Sequence, residues 1–460
     1  MKENSTQTNE MATGSIPKLF FKLAIPAVVA QIVNLLYNIV DRIYIGHIPE
    51  IGAAALTGVG LFSSIMMFIT AFAMLCGAGG APLAAIALGK NDKDRAEKIM
   101  TNSFMLLIIF GIILTIVFYN FAPTLLTMFG ASEITLPFAV DYARTCILGT
   151  ISVLLVTGMN PFVTTQGFAQ IAMLTTVIGA LINIVLDPLF IFGLGMGVKG
   201  AALATILSQT VGALWILRFL TGKKTILRLR KENLKLDPKI FGPTLALGIS
   251  PFVMVSTESL LSISFTTSLA KYGGDVAVGA MTIITSINML VSMPLQGFCQ
   301  GGQPIMSYNY GAGNVDRVKK AFFMQFGVCV AYATLFWGLC MLMPNVLAGI
   351  FTTDAAFVEY GAWALRIYMA GIFSVGFQIS CQQSFMALGQ AAISLIMAFL
   401  RKLVLLIPLI FILPNFFADK VFGVFIAEPV SDIIAAAITT ITFLTQFNKI
   451  MAKSGNKTTK

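Results

Sequence analysis

Two carboxylates sit where carboxylates are costly. Asp41 lies in NLLYNIVDRIYIG and Asp187 in LINIVLDPLFIFG, runs that are otherwise largely apolar. Asn34, Tyr37, Asn38 and Asp41 recur at i, i+3, i+4 and i+7, one face of a helix, and Asn183 and Asp187 share a face at i and i+4. Polar groups inside a bilayer face a bundle interior or a wet cavity, and mark ion or proton pathways. An acid so placed can take up a proton or a Na⁺ on one side and release it on the other. Two plainer readings exist: Asp41 as a helix-end ion pair with Arg42, and Asp187 as a partner for backbone freed by Pro188.

Later acids form a second group. Glu258 lies in VMVSTESLLSIS, Gln378 and Gln382 follow in another apolar run, and Glu428 and Asp432 lie near the end. Glu258 with Gln378 and Gln382 is a candidate substrate or second cation site; a hydrogen-bonded structural acid is the equal alternative. Other chemistry is excluded more readily. His47 is the single histidine, the six cysteines form no CxxC pair, and no GxxxxGK[ST] phosphate loop is present. These observations speak against a His metal site, a cofactor, ATP-driven pumping and a nucleophile–base enzyme centre.

The elements that must position these acids follow from composition. Of 460 residues, 57% are hydrophobic and 11% charged, against about 25% charged in soluble proteins. An apolar helix of about 20 residues crosses a bilayer core of roughly 30 Å. Stretches such as 51–89, 99–132, 145–186, 276–315 and 321–353 contain no Asp, Glu, Lys or Arg. Cutting at charged or Gly/Pro-rich gaps predicts twelve spans, near 17–45, 52–86, 96–121, 135–157, 165–193, 199–220, 241–270, 276–309, 316–343, 356–386, 390–413 and 421–447. The fold class expected is therefore an all-α polytopic membrane protein.

Charge sets the expected orientation. With the N-terminus inside, 21 Lys and Arg fall in inside segments and four (Arg42, Lys199, Lys271 and Lys420) in outside ones, which places both termini in the cytoplasm. The net charge of +10 is dispersed among short gaps, which speaks against a nucleic-acid partner. Residues 1–16 are polar and lack the apolar core of a cleaved signal, so the first span is expected to target the chain. The basic stretch TGKKTILRLRKENLKLDPK divides the chain, either as an anionic-lipid contact or as a positive-inside anchor.

The halves repeat. At an offset of 222 residues, Gly79, Gly80 and Pro82 match Gly301, Gly302 and Pro304, and Gly89, Asp94, Arg95 and Lys98 match Gly311, Asp316, Arg317 and Lys320. Toward the ends the offset drifts, so that Pro26 pairs with Pro251 and Ser208 with Ser431. Six spans per repeat give both the same orientation and a pseudo-two-fold axis along the membrane normal. The expected domains are an N-terminus (1–16), an N-lobe (17–220), a linker (221–240), a C-lobe (241–447) and a tail (448–460). The counterparts of Asp41 and Asp187 fall near Phe265 and Ile407, so that acid pair belongs to the N-lobe.

YNIVDRIYIG in the first span and NIVLDPLFIFGLGMGVKGAALAT across the fifth and sixth resemble the multidrug and toxin extrusion (MATE) family over nearly the whole chain. The two acids resemble the branch named after DNA-damage-inducible protein F. The resemblance implies export of organic cations and amphipathic drugs by alternating access, coupled to H⁺ or Na⁺, from the cell (inner) membrane by a monomer. It implies a proton or Na⁺ site at Asp41, Asn183, Asp187, Thr205 and the Ala201 carbonyl, with Tyr37 and Asn160 in support. The abundant Met and Phe, 23 and 37 residues, suit an adaptable cavity. A lipid-linked-precursor flippase is the alternative within transport; it would call for more spans and a strongly cationic cavity.

Overall fold

The computed structural model describes residues 10–455 except Thr353; the expected ends of the N-terminal segment and of the tail lie outside these. Among the described residues all regular structure is helical. Ten helices are long and apolar enough to cross a membrane. One of them, Pro238–Gly311, has 74 residues, about 110 Å of helix, or more than three bilayer cores. Gly274 breaks it at φ 63°, ψ −158°, a conformation open to glycine because it has no Cβ, so it forms spans seven and eight. Leu136–Leu148 and Thr150–Thr165, bent by 56°, form the fourth span together. The described chain thus makes twelve crossings.

The observed bounds follow the expected ones within a few residues, except at the ends of the third, fourth and twelfth spans, which run to Met128, Thr165 and Gly455 rather than ending near 121, 157 and 447. Gly158 and Pro161 look like a break in sequence but lie inside the helix. The glycine is there for close packing: a Cβ on Gly77 of the second span would stand 2.4 Å from the Gly158 carbonyl oxygen. Gly167, at φ 90°, makes the actual turn.

The repeated glycines close one end of the molecule. A Cβ on Gly79 would lie 2.2 Å from the Thr244 carbonyl oxygen, and one on Gly301 2.5 Å from Ala24. The second span therefore lies against the seventh, and the eighth against the first. At the same end Gly89 meets Tyr308 and Gly311 meets Ile86, with hypothetical Cβ–oxygen distances of 2.0 and 2.1 Å. One hydrophobic core fills the N-terminal half and continues at this end into Ile305, Met306, Phe322, Phe385 and Phe443; a second lies within the C-terminal half. The repeat extends to helix caps. Asp92 and Asn314, 222 residues apart, each accept from the backbone N–H three residues on.

The basic linker crosses this closed end bound to the N-terminal half. Gln166 Oε1 accepts from Thr225 Oγ1 and from the N–H groups of Ile226 and Leu227, at 2.7, 2.8 and 2.8 Å. Glu97 pairs with Arg230 at 3.1 Å, and Asn102 Oδ1 accepts from the Asp237 N–H at 2.9 Å.

These close approaches leave no room for a side chain. Gly301→Val should destabilise the protein by about 1–3 kcal/mol, as overpacking does. Gly60→Ala, where nothing lies within 4 Å of the added Cβ, should leave the thermal midpoint of purified protein unchanged; equal midpoints for both variants would contradict this packing.

Candidate functional site

The first, fifth and sixth spans meet around the two acids. Asp187 sits in the last turn of the helix Ala169–Pro188. Pro188 supplies no N–H, and the chain continues through a wide π-helical segment, Leu189–Gly193. The turn to the sixth span uses Gly195 and Gly197 at φ 64° and 55°. Gly200 lets that span press on the π segment: a Cβ there would stand 2.7 Å from the Phe190 carbonyl carbon. The block that looked like a signature in sequence is thus a device for holding the fifth and sixth spans together beside Asp187.

Asn183 and Asp187 are fully buried, and Asp41 is 7% exposed. Asn183 Nδ2 donates to Asp187 Oδ1 at 3.2 Å and to Thr205 Oγ1 of the sixth span at 3.4 Å. The Asp41 and Asp187 carboxyls face each other within hydrogen-bonding reach. Three buried oxygens here, Asp41 Oδ1, Asp187 Oδ2 and Asn183 Oδ1, have no donor from the protein. Burying such acceptors without a partner is expensive. A proton shared by the acids, or a hard cation held by their oxygens with Thr205, would fit that donor set.

Other expected residues divide. Tyr37 lies beside Asp41, Asp187 and Thr205, and Ala201 is fully buried one turn before Thr205. Asn160 donates to the Ala172 carbonyl at 3.1 Å, tying the fourth span to the fifth rather than reaching the acids. Asn38 is exposed, and its amide donates to the Asn34 carbonyl at 2.6 Å, so the structure does not bring Asn38 into the network. Two neighbours escaped the sequence reading. Tyr142 and Cys146 of the fourth span lie within electrostatic range of Asp41; their spacing of four was the available signal, but their types read as ordinary core.

The chain's relationships agree with this arrangement. The MatE family profile matches residues 26–189 and 251–412, which is most of both halves. The chain belongs to the MatE family. It is 24% identical over 429 residues to the multidrug export protein MepA of Staphylococcus aureus (strain N315), covering 92% of this chain and 93% of that protein. The namesake from Staphylococcus haemolyticus (strain JCSC1435) is 25% identical over 430 residues, with the same shares covered. Among solved structures, MATE in the bent conformation superposes with a TM-score of 0.90 at 25% identity, covering 99% of both chains. A MOP superfamily transporter from Pyrococcus furiosus Vc1 superposes with a TM-score of 0.89 at 26% identity, covering 96% of this chain and 98% of that one. The protein is a multi-span membrane transporter of MATE fold, and its relatives are transporters rather than enzymes.

In the C-terminal half of this MATE chain the expected grouping is not what forms. Glu258 joins neither Gln378 nor Gln382; it pairs with Lys402. Gln382 instead bonds Ser250 Oγ and the Ser394 carbonyl at 3.2 and 2.7 Å, tying the seventh, tenth and eleventh spans. Gln378 is buried with its Oε1 lacking a donor. Arg401, next to Lys402, bonds Asp432 at 2.8 Å and stands 3.8 Å from Glu428.

Facing acids predict an asymmetric response to substitution. Asp187→Asn supplies an N–H donor to Asp41 and should hold or raise the thermal midpoint of purified protein. Asp187→Leu removes the acceptor of Asn183 and should cost about 1–3 kcal/mol. The reverse order of midpoints would count against the facing arrangement.

Proposed function

We propose that the chain is a cation-coupled antiporter that exports cationic or amphipathic compounds by alternating access. The observation that carries this reading is the buried cluster Asp41–Asp187–Asn183–Thr205, whose oxygens outnumber its donors. A proton or a Na⁺ completes the cluster, and Tyr37 and the Ala201 segment shape it. The cluster spans three helices, so loading and unloading alters how the first span packs on the fifth and sixth. The name multidrug export protein carried by the relatives supports the substrate class.

The remaining parts follow the same reading. The lobes are residues 17–220 and 241–447, joined by the linker 221–240. The two halves meet through glycines at the linker end, so the cleft opens at the other. Phe68 of the second span and Phe252 of the seventh, 6.0 Å between ring centroids, stand between the halves, and Phe68 is 41% exposed. Such rings accept apolar cations by packing and cation–π attraction. The inward excess of Lys and Arg supports a cell-membrane protein with both termini cytoplasmic, and the acid pair supports the branch named after DNA-damage-inducible protein F.

Energetically the coupling is sufficient. One pH unit supplies about 1.4 kcal/mol per proton, and 100 mV about 2.3 kcal/mol per charge; either supports a roughly tenfold substrate gradient or more. In proteoliposomes with separately imposed pH and Na⁺ gradients, a fluorescent organic cation should be expelled under one of them. Asp41→Asn should reduce gradient-driven efflux at least tenfold while the protein keeps its elution profile and thermal midpoint. Undiminished efflux by that variant would overturn the coupling role.

A further inference from the structure

The C-terminal charge cluster occupies the repeat counterpart of the N-terminal site. The N-terminal site is built on spans one, five and six, and this cluster on spans seven, eleven and twelve. With the drifted offsets, Glu258 falls opposite Asn34 and Glu428 opposite Thr205. The charges differ in kind. The N-terminal site has acids and neutral donors, whereas the C-terminal cluster has three acids, Glu258, Glu428 and Asp432, and two bases, Arg401 and Lys402.

Both bases lie in a π-helical segment, Leu400–Leu406. Consecutive residues of a helix point about 100° apart, so Arg401 reaches the twelfth span and Lys402 the seventh. The Lys402 side chain is 6% exposed; its Nζ donates to Glu258 Oε1 and to the Met254 carbonyl oxygen, the latter at 2.6 Å. Glu258 itself remains 48% exposed. Ser262 and Thr266, one and two turns on, are also exposed, and a polar stripe of this kind faces water rather than lipid.

We propose that this half contains a binding site for a primary alkylammonium ion, formed by Glu258 and the Met254 carbonyl, and that Lys402 is its tethered occupant. The site supplies what an ammonium requires: a carboxylate, a carbonyl acceptor, and apolar space for a four-carbon stem. Glu258 has one flank exposed, so a free amine reaches the same carboxylate. The tether fixes the competition. A covalently held ammonium acts at an effective concentration of about millimolar or above, so a free amine at lower concentration does not displace it. Lys402 therefore keeps this half from binding small amines. The inference rests on the C-terminal cluster alone and does not depend on ion-coupled export.

The test is chemical rescue of the purified full-length protein, read by thermal unfolding, which needs neither gradient nor transport. Lys402→Ala should lower the midpoint by leaving Glu258 without its cation. Adding n-butylammonium should recover at least half of that loss with saturable dependence on concentration, while tetramethylammonium, which has no N–H to donate, should not. Wild type and the double variant Lys402→Ala/Glu258→Gln should show no saturable rise. If Lys402→Ala does not fold, Lys402→Met, which keeps the volume of the stem, is titrated in the same way, the amine reaching Glu258 from its exposed flank. Absence of a butylammonium-specific rise in the variant that folds, or an equal rise in the double variant, overturns the proposal.

Discussion

Hydrocarbon offers no hydrogen bonds, and almost every feature of this molecule answers that fact. Backbone groups are satisfied within helices, which is why all twelve crossings are helical and why Pro188, which supplies no N–H, is followed by a π segment. Side-chain polar groups must likewise find partners inside the protein. Gln382 finds two serines, Gln166 gathers three donors from the linker, and Lys402 finds Glu258. Against this background the oxygens of Asp41, Asp187 and Asn183 stand out: single buried oxygens elsewhere, such as Gln378 Oε1 and Gln382 Oε1, also lack a donor, but here three lie in one cluster that contains two acids. That is what the proposed coupling role requires, since a site that binds and releases a small cation cannot be satisfied in advance by the protein itself.

The two halves handle the same architectural position differently. In the N-terminal half, acids of the first and fifth spans face each other with oxygens that the protein leaves without a donor. In the C-terminal half, positive charge is built into the eleventh span and fixed there by acids of the seventh and twelfth. A shared ancestral plan is visible in the glycines and helix caps, while the chemistry of the two halves has diverged. Buried ion pairs of the second kind are costly to break and give little net stability over apolar packing, so their interest lies in selectivity more than in holding the fold together.

Much of this was legible in sequence for a physical reason: bilayer thickness forces apolar runs of a definite length, and the runs carry their own boundaries. Asp41 and Asp187 stood out because an isolated charge in such a run is improbable. What was illegible depended on contacts between distant segments or on departures from ideal helix geometry. Glu258 and Lys402 are 144 residues apart, and a π segment shifts the helical phase, so the facing of Arg401 and Lys402 could not be counted from a period of 3.6. Asn38 shows the opposite error. Its spacing put it on the face of Asp41, but at the edge of that stripe its amide turns back to its own helix. Tyr142 and Cys146 were hidden by their ordinary types.

The strapped linker bears on motion. Asp237 is held by Asn102 at 2.9 Å, and the next residue, Pro238, already begins the seventh span. Although the linker is long in sequence, the unattached chain between the halves is almost nothing. The connection is therefore a pivot rather than a leash. The halves are held together at that end, and any relative movement between them would be a rotation whose amplitude grows with distance from Pro238, so that small rearrangements beside the pivot would be magnified across the thickness of the membrane.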